Sequence, residues 1–380
     1  MHKILIFTTL VDYLRRNFLM RKTNISDKYS DLNSILKTHF NGTLNLARIK
    51  FISMFIIALC KVQTVNFSKL SNAFDSSANA DSSLRRIQRF IAKFSLDSDI
   101  IARLIFALLP EKENLTLSID RTNWKFGNLN INIFMLGITY KGVACPLLFT
   151  MLAKRGNSNS SERISLINRY IRLFGKGSID CIVADREFVG KEWIRFLNFN
   201  NLRYYIRIRH NFKVFLPHKN KELKVSWLFN TYKVNQFVFY HKIVKINGEL
   251  CYLSGSKLSG NDFLILISFN KPENSDEYYK QRWQIEMTFK AMKSSGFDIE
   301  KTHLEDIERI EKLILLVMIA FVWCYKVGIH LHQNYKKIVI KKHGRKAISI
   351  FKYGLSYIAN CLLNRKIKME FNIYQFLSCT

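Results

Sequence analysis

The chain has 380 residues, 48% of them hydrophobic, enough for two or three domains and a sizeable core. Its 59 Lys and Arg against 29 Asp and Glu leave a net charge of +30, which points to a polyanionic partner, nucleic acid first, because phosphate contacts release condensed counterions. The seven cysteines (Cys60, Cys145, Cys181, Cys251, Cys324, Cys361, Cys379) are scattered and never form a Cys-x-x-Cys pair, which argues against a disulfide framework and a zinc site and fits a reducing cytosol.

The apolar start, Met1 to Val11, is followed by Asp12, Arg15 and Arg16 where a signal peptide would have small residues, so no export signal is expected. The first 110 residues read as a helical, basic, DNA-binding region. Phe51 to Cys60 is an apolar helix core, Phe67 to Phe74 a second short helix, and Ser82-Ser83 the cap of a third beginning at Leu84. That third helix carries Arg85, Arg86 and Arg89 beside Ile87, Phe90 and Ile91, so one face packs and an arginine face stays free. A helix-turn-helix reader has this form; so does an ordinary bundle with a solvated face.

From Leu115 the period changes to two. Leu115, Leu117 and Ile119 alternate with Thr116, Ser118 and Asp120, which predicts a half-buried strand with Asp120 at its polar end. Strands over Ile131 to Tyr140 and Val143 to Leu152 follow, joined by Lys141-Gly142 as a tight turn. Ser160-Ser161 opens a helix through Phe174. Ile179 to Ala184 is apolar enough for a strand buried on both faces, with Asp185 at its end, and a helix (Lys191 to Phe199) and strand (Leu202 to Ile208) complete the set. An antiparallel trio joined to parallel strands by helical crossovers is the ribonuclease H-like order. The expected fold is therefore α/β, with a ribonuclease H-like catalytic core over residues 111–310.

Within that core, residues 211–270 alternate Val, Ile, Phe and Tyr with polar residues and carry turn signals at Asn247-Gly248 and Ser254-Gly255, predicting an added β subdomain. A helix from Ser275 to Ser294 comes next. Residues 311–380 read as a helical C-terminal region suited to dimerisation, and its apolar run, Leu313 to Tyr325, falls short of the ~20 residues that a membrane-spanning helix needs.

The helix after the β segment carries Tyr279, Arg282, Glu286 and Lys293 on a stripe roughly 60° wide, a carboxylate flanked by cations. An ordinary helix with Arg282–Glu286 and Glu286–Lys290 ion pairs gives the same pattern. Three acids at element ends, Asp120, Asp185 and Glu286, form an oxygen-only donor set of the kind that two Mg²⁺ ions need for phosphodiester cleavage.

These residues carry a family resemblance. Tyr279, Arg282, Glu286 and Lys293 match Tyr-x2-Arg-x3-Glu-x6-Lys, the signature of the DDE transposases of the insertion-sequence-four type. Asp120-Arg121-Thr122-Asn123-Trp124 and Val183-Ala184-Asp185-Arg186-Glu187-Phe188 resemble the segments bearing the family's first and second catalytic aspartates. The resemblance implies a cut-and-paste transposase: metal-dependent nicking at transposon ends, then strand transfer by the freed 3′ hydroxyl. Asp120, Asp185 and Glu286 would be catalytic and hold two Mg²⁺ ions, with Mn²⁺ as a substitute. Tyr279, Arg282 and Lys293 would grip the DNA end, with Arg121, Trp124 and the three N-terminal arginines as further DNA-binding positions. The implied partners are double-stranded DNA (terminal inverted repeats and target) and a second copy of the chain, in the bacterial cytoplasm, with no membrane. In relatives that form a DNA hairpin an aromatic residue of the insertion holds a flipped base, for which Trp227, Phe237 and Tyr240 are candidates; Trp283 reads as a core residue.

Rival functions fare worse. A decayed transposase acting as a repressor would keep DNA binding without catalysis, against the intact acidic trio. A tyrosine recombinase needs His-x-x-Arg, which His303, His330 and His332 do not provide, and Gly175-Lys176-Gly177 is too short for a phosphate-binding loop, so ATP is not expected.

Overall fold

The computed structural model describes residues 25–40, 42–342, 344–364 and 370–378; the reading of Met1 to Val11 and Cys379 lie outside them. The chain divides into two compact units, Met1–Met54 and Phe55–Thr380. In the first, α1 (Ile25–Phe40) buries Leu32, Leu36 and Phe40, one residue per helical turn on a single face, and α2 (Leu46–Val62) begins.

The second unit opens with the rest of α2, then α3 (Phe67–Asn72), α4 (Ala80–Lys93) and α5 (Ser98–Leu108). The start of α4 differs from expectation. Asn79 accepts a hydrogen bond from the Ser82 N–H and caps the helix, so Ser82 and Ser83 lie within the first turn and Ser83 is buried.

A ten-stranded sheet follows in the order β3-β2-β1-β4-β5-β10-β9-β8-β6-β7, with helices packed on it. β1 (Leu115–Phe126), β2 (Leu129–Tyr140) and β3 (Val143–Met151) form the antiparallel trio. Lys141 and Gly142 turn the chain with φ of 50° and 105°. β4 (Ile179–Ala184) and β5 (Tyr204–Ile208) run parallel beside β1, reached through α6 (Ser160–Phe174) and α7 (Lys191–Phe199). Asn159 and Glu162 close a capping box at the start of α6, which sets where the crossover begins.

The β-rich segment comprises β6 (Lys213–Leu216), β7 (Lys221–Lys224), β8 (Val238–Ile246), β9 (Glu249–Lys257) and β10 (Phe263–Ser268). It continues the main sheet, because β10 pairs antiparallel with β5. The reason is apolar burial: β5 and β10 are both almost wholly buried, and an open β5 edge would leave buried backbone groups unpaired. Asn247-Gly248 makes the predicted hairpin turn, with φ of 51° and 86°. Ser254-Gly255 does not turn: both lie inside β9, where a Cβ on Gly255 would sit 2.4 Å from the Leu264 carbonyl oxygen of β10.

After the sheet come α8 (Ser275–Lys280) and α9 (Trp283–Met292), then α10 (Ile307–Asn334), capped by Asp306, and α11 (Ile350–Leu363). α10 is far longer than its apolar run and long and apolar enough to cross a membrane, yet 89% of its most apolar stretch is buried. It is the core helix of this unit, packed on α4, α5, α9, α11 and β3.

Candidate active site

Parallel register brings the two aspartates together. Ile119 of β1 pairs with Ala184, the last residue of β4, and the next residue along the chain in each case is an aspartate, Asp120 and Asp185. β4 stops there while β1 runs on to Phe126, pairing only with β2. Asp120 is thus in the middle of a strand, not at its end, and sits where its parallel neighbour has left the sheet. This is the position where an open α/β sheet presents groups to a ligand.

α8 and α9 cross this point. α8 packs on β4 and β5, with Tyr278 stacked on Tyr205 at 5.1 Å, and α9 packs on β1, β2 and β3. The predicted single helix is broken between them: Gln281 and Arg282 donate backbone hydrogen bonds to Tyr278 and Tyr279, three residues back. Such turns advance about 120° per residue instead of 100°, so the stripe does not continue straight. The Ser118 hydroxyl, donating to the Arg282 carbonyl at 3.4 Å, and the Thr139 hydroxyl, donating to Gln281 Oε1 at 2.8 Å, pin the break to the sheet.

All four signature residues face the two aspartate-bearing strands. Tyr279 donates its hydroxyl to Asp185 Oδ1 at 3.3 Å. Arg282 reaches Glu286 Oε1 at 2.6 Å through Nη2 and lies 3.6 Å from Asp120 Oδ2 through Nη1, so one guanidinium joins two of the three acids. Lys293 pairs with Glu300 at 2.7 Å, donates to the Asn123 carbonyl of β1 and sits over the Trp124 ring at 5.2 Å. Trp283, which follows Arg282 and reads from the sequence as a core residue, is instead 58% exposed.

Electrostatics mark Asp120 out. Burial pushes its carboxyl up to about 7, and Glu187 and Glu286 push the same way against the Arg121 backbone N–H and Arg282. Burial also lifts the Tyr279 hydroxyl to about 12, so it donates hydrogen bonds throughout the physiological range. For Arg282 burial works against the charge, but Tyr279, Glu286 and Asp185 outweigh it and hold the guanidinium charged more firmly than usual.

The three carboxylates supply only oxygen, the donor chemistry of a hard divalent cation. They fit such an ion chemically. Among the described residues, though, no three Asp, Glu, His or Cys side chains converge on one point, since Arg282 and Tyr279 engage the acids instead.

The remaining predicted positions fall in two groups. Arg85 and Arg89 of α4 are exposed and Arg86 half-buried, while Ile87, Phe90 and Ile91 pack inward as expected. Trp124 is buried, and Arg121 is engaged by Glu187, Asn132 and Asn157. Sequence reasoning missed Glu187 and Arg163, ordinary polar residues by pattern; the segment around Asp185 was the only signal for the first, and nothing marked the second. In the β-rich segment Trp227 is 62% exposed, and Tyr240 contacts His218.

The family model described as the transposase DDE domain matches residues 114–323, over half of the chain and all three acids. The chain belongs to that family. Among solved structures it is similar to a piggyBac transposase synaptic complex with hairpin DNA, at 14% identity and a TM-score of 0.44, covering 88% of this chain and 77% of that one. No curated protein matches it.

Proposed function

We propose that this chain is a cut-and-paste DNA transposase of the insertion-sequence-four type, with a ribonuclease H-like core in which Asp120, Asp185 and Glu286 hold two Mg²⁺ ions. The observation that carries the reading is the register of β1 and β4, which sets Asp120 and Asp185 side by side beneath the helix that bears Glu286. The strand order β3-β2-β1-β4-β5, an antiparallel trio continued by two parallel strands, supports the ribonuclease H-like assignment.

When bound, a divalent cation pair supplies Lewis acidity at the scissile phosphate and lowers the pKa of the attacking water. The chain's own residues do the rest. With a cation bound, Asp120 would be ionised, its proton lost to bulk water, and would exchange its contact with Arg282 for the metal, leaving a planar fork of donors for a phosphate at the place where Arg282 now meets two carboxylates. Tyr279 keeps its proton and orients Asp185. Lys293, held over Trp124 and paired with Glu300, places an ammonium donor beside β1. Arg85, Arg86 and Arg89 on α4 grip duplex DNA away from the reacting phosphate, and two copies of the chain bring two transposon ends together.

The test is cleavage of a supercoiled plasmid carrying the element's own terminal repeats, with Mg²⁺ or EDTA, by wild type and Glu286→Gln, with DNA binding measured in parallel. Metal-dependent cutting at the repeat ends by wild type, with binding but no cutting by the variant, supports the reading. Equal binding by both proteins with no cutting under any divalent metal identifies a DNA-binding remnant acting as a repressor.

A further inference from the structure

Arg121 and Glu187 join the two aspartate-bearing segments from behind. Neighbouring residues of a strand point to opposite faces, so Arg121, next after Asp120, leaves β1 on the side away from the Asp120 carboxylate. There its guanidinium forks onto Glu187, Nε to Oε1 at 3.3 Å and Nη2 to Oε2 at 3.3 Å. The remaining donors reach Asn132 Oδ1 of β2 and Asn157 Oδ1, each at 3.0 Å. Asn132 is buried and donates in turn to the Lys154 and Gly156 carbonyls, which fixes the loop that leads into α6.

Glu187 is held a second time through its backbone. Arg163 of α6, 4% exposed, donates Nη2 to the Glu187 carbonyl at 2.9 Å and lies 5.1 Å over the Phe188 ring, which stacks on Phe134 of β2. The Phe188 N–H closes a turn onto the Asp185 carbonyl at 3.0 Å. The turn that carries Asp185 is therefore clamped to β1 by one arginine and to α6 by another. Arg121 and Glu187 side chains are only 14% and 22% exposed, so removing one partner leaves a poorly solvated charge on the other.

We propose that Arg121 and Glu187 are a positioning pair that fixes the spacing of Asp120 and Asp185 for divalent-metal binding, and that Arg121 is not a DNA-phosphate ligand. This rests on the metal-dependent reading above. Partners behind metal ligands of this kind change metal affinity about 10–100-fold when removed.

The experiment uses the full chain and Mn²⁺ as probe, titrated by electron paramagnetic resonance, for wild type, Glu187→Gln, Arg121→Gln and the double variant, with DNA affinity in EDTA and thermal midpoint alongside. Each single variant is expected to weaken Mn²⁺ binding about tenfold or more, with DNA affinity in EDTA unchanged, and the double variant to be no weaker than the worse single. Should either glutamine variant fail to fold, Arg121→Lys, which keeps the charge and loses the fork, carries the test with a smaller loss. Unchanged Mn²⁺ affinity with only a lower thermal midpoint overturns the pair's role. So does a loss of DNA affinity in Arg121→Gln with Mn²⁺ binding intact, or losses that simply add. A wild type that binds no Mn²⁺ overturns this inference together with the reading it rests on.

Discussion

The two halves of the ten-stranded sheet are built by different rules. In the half from β3 to β5, strands are buried almost throughout, and the charged groups they carry are partly buried and partnered, as Asp120 is by Arg282 and Arg121 by Glu187. In the half that ends in β8, β6 and β7, the strands alternate or lie open. Large apolar residues such as Trp227, Ile243 and Leu250 are exposed there, and the last strand is Lys-Glu-Leu-Lys. The difference teaches where charge acquires chemical consequence. The Asp120 carboxylate loses solvation and is pushed up; a lysine on β7 is exposed and guards a sheet edge.

The comparison can be broken, or sharpened, in descending order of effect. Glu286→Gln exchanges an anionic carboxylate for a neutral amide, so the rate of DNA cutting should fall by about 10³-fold or more with DNA binding retained. A rate within a few-fold of wild type would put the chemistry elsewhere. Ile182→Ala, in the buried middle of β4, should cost about 2–5 kcal/mol in denaturant unfolding, whereas Leu250→Ala, half exposed on β9, should stay within about 0.5 kcal/mol. Equal losses would mean that the outer half is as tightly packed as the inner.

Asp120 adds a pH dependence with a definite sign. Its folded carboxyl titrates near 7 and its unfolded one near 3.8, so the folded state holds the extra proton between these values. Without added metal, stability should therefore fall as pH rises from about 4 to about 7 and level off above. Asp120→Asn should remove that slope and be the more stable protein at pH 8, as read from thermal midpoints; a wild-type slope of opposite sign would mean that Arg282 outweighs burial. The smallest effect concerns α4. Replacing Arg85 or Arg89 by Ala should weaken DNA binding uniformly across sequences and reduce the salt slope by about one for each phosphate no longer neutralised, with cutting per bound complex unchanged.

Much of the inner half was legible in the sequence. The period of two through Leu115, Leu117 and Ile119, the continuous apolar run Ile179 to Ala184 and the turn at Lys141-Gly142 each express a local rule, and strands and a turn formed there, although β1 is buried on both faces from Leu115 to Ile119 and runs past Asp120 to Phe126. The outer half was less legible. Ser254-Gly255 has the composition of a turn, and its glycine was selected instead by the closeness of β10, a neighbour that local sequence does not reveal. Likewise the Arg282 break, the exposure of Trp283 and the burial of Trp124 depend on how one element lies across another.

By itself, then, the sequence determined which residue types were present at which spacing: three acids, a cation-flanked glutamate and a strongly basic chain. Side-chain periodicity and charge are properties of neighbours along the chain, and they can be read without a fold. Only the tertiary structure decided that Asp120 adjoins Asp185, that Arg282 joins Asp120 to Glu286, and that Arg121 turns away to meet Glu187. Those contacts link residues distant in sequence, and they follow from strand register and from the alternation of faces along β1, which are fixed only once the strands have paired.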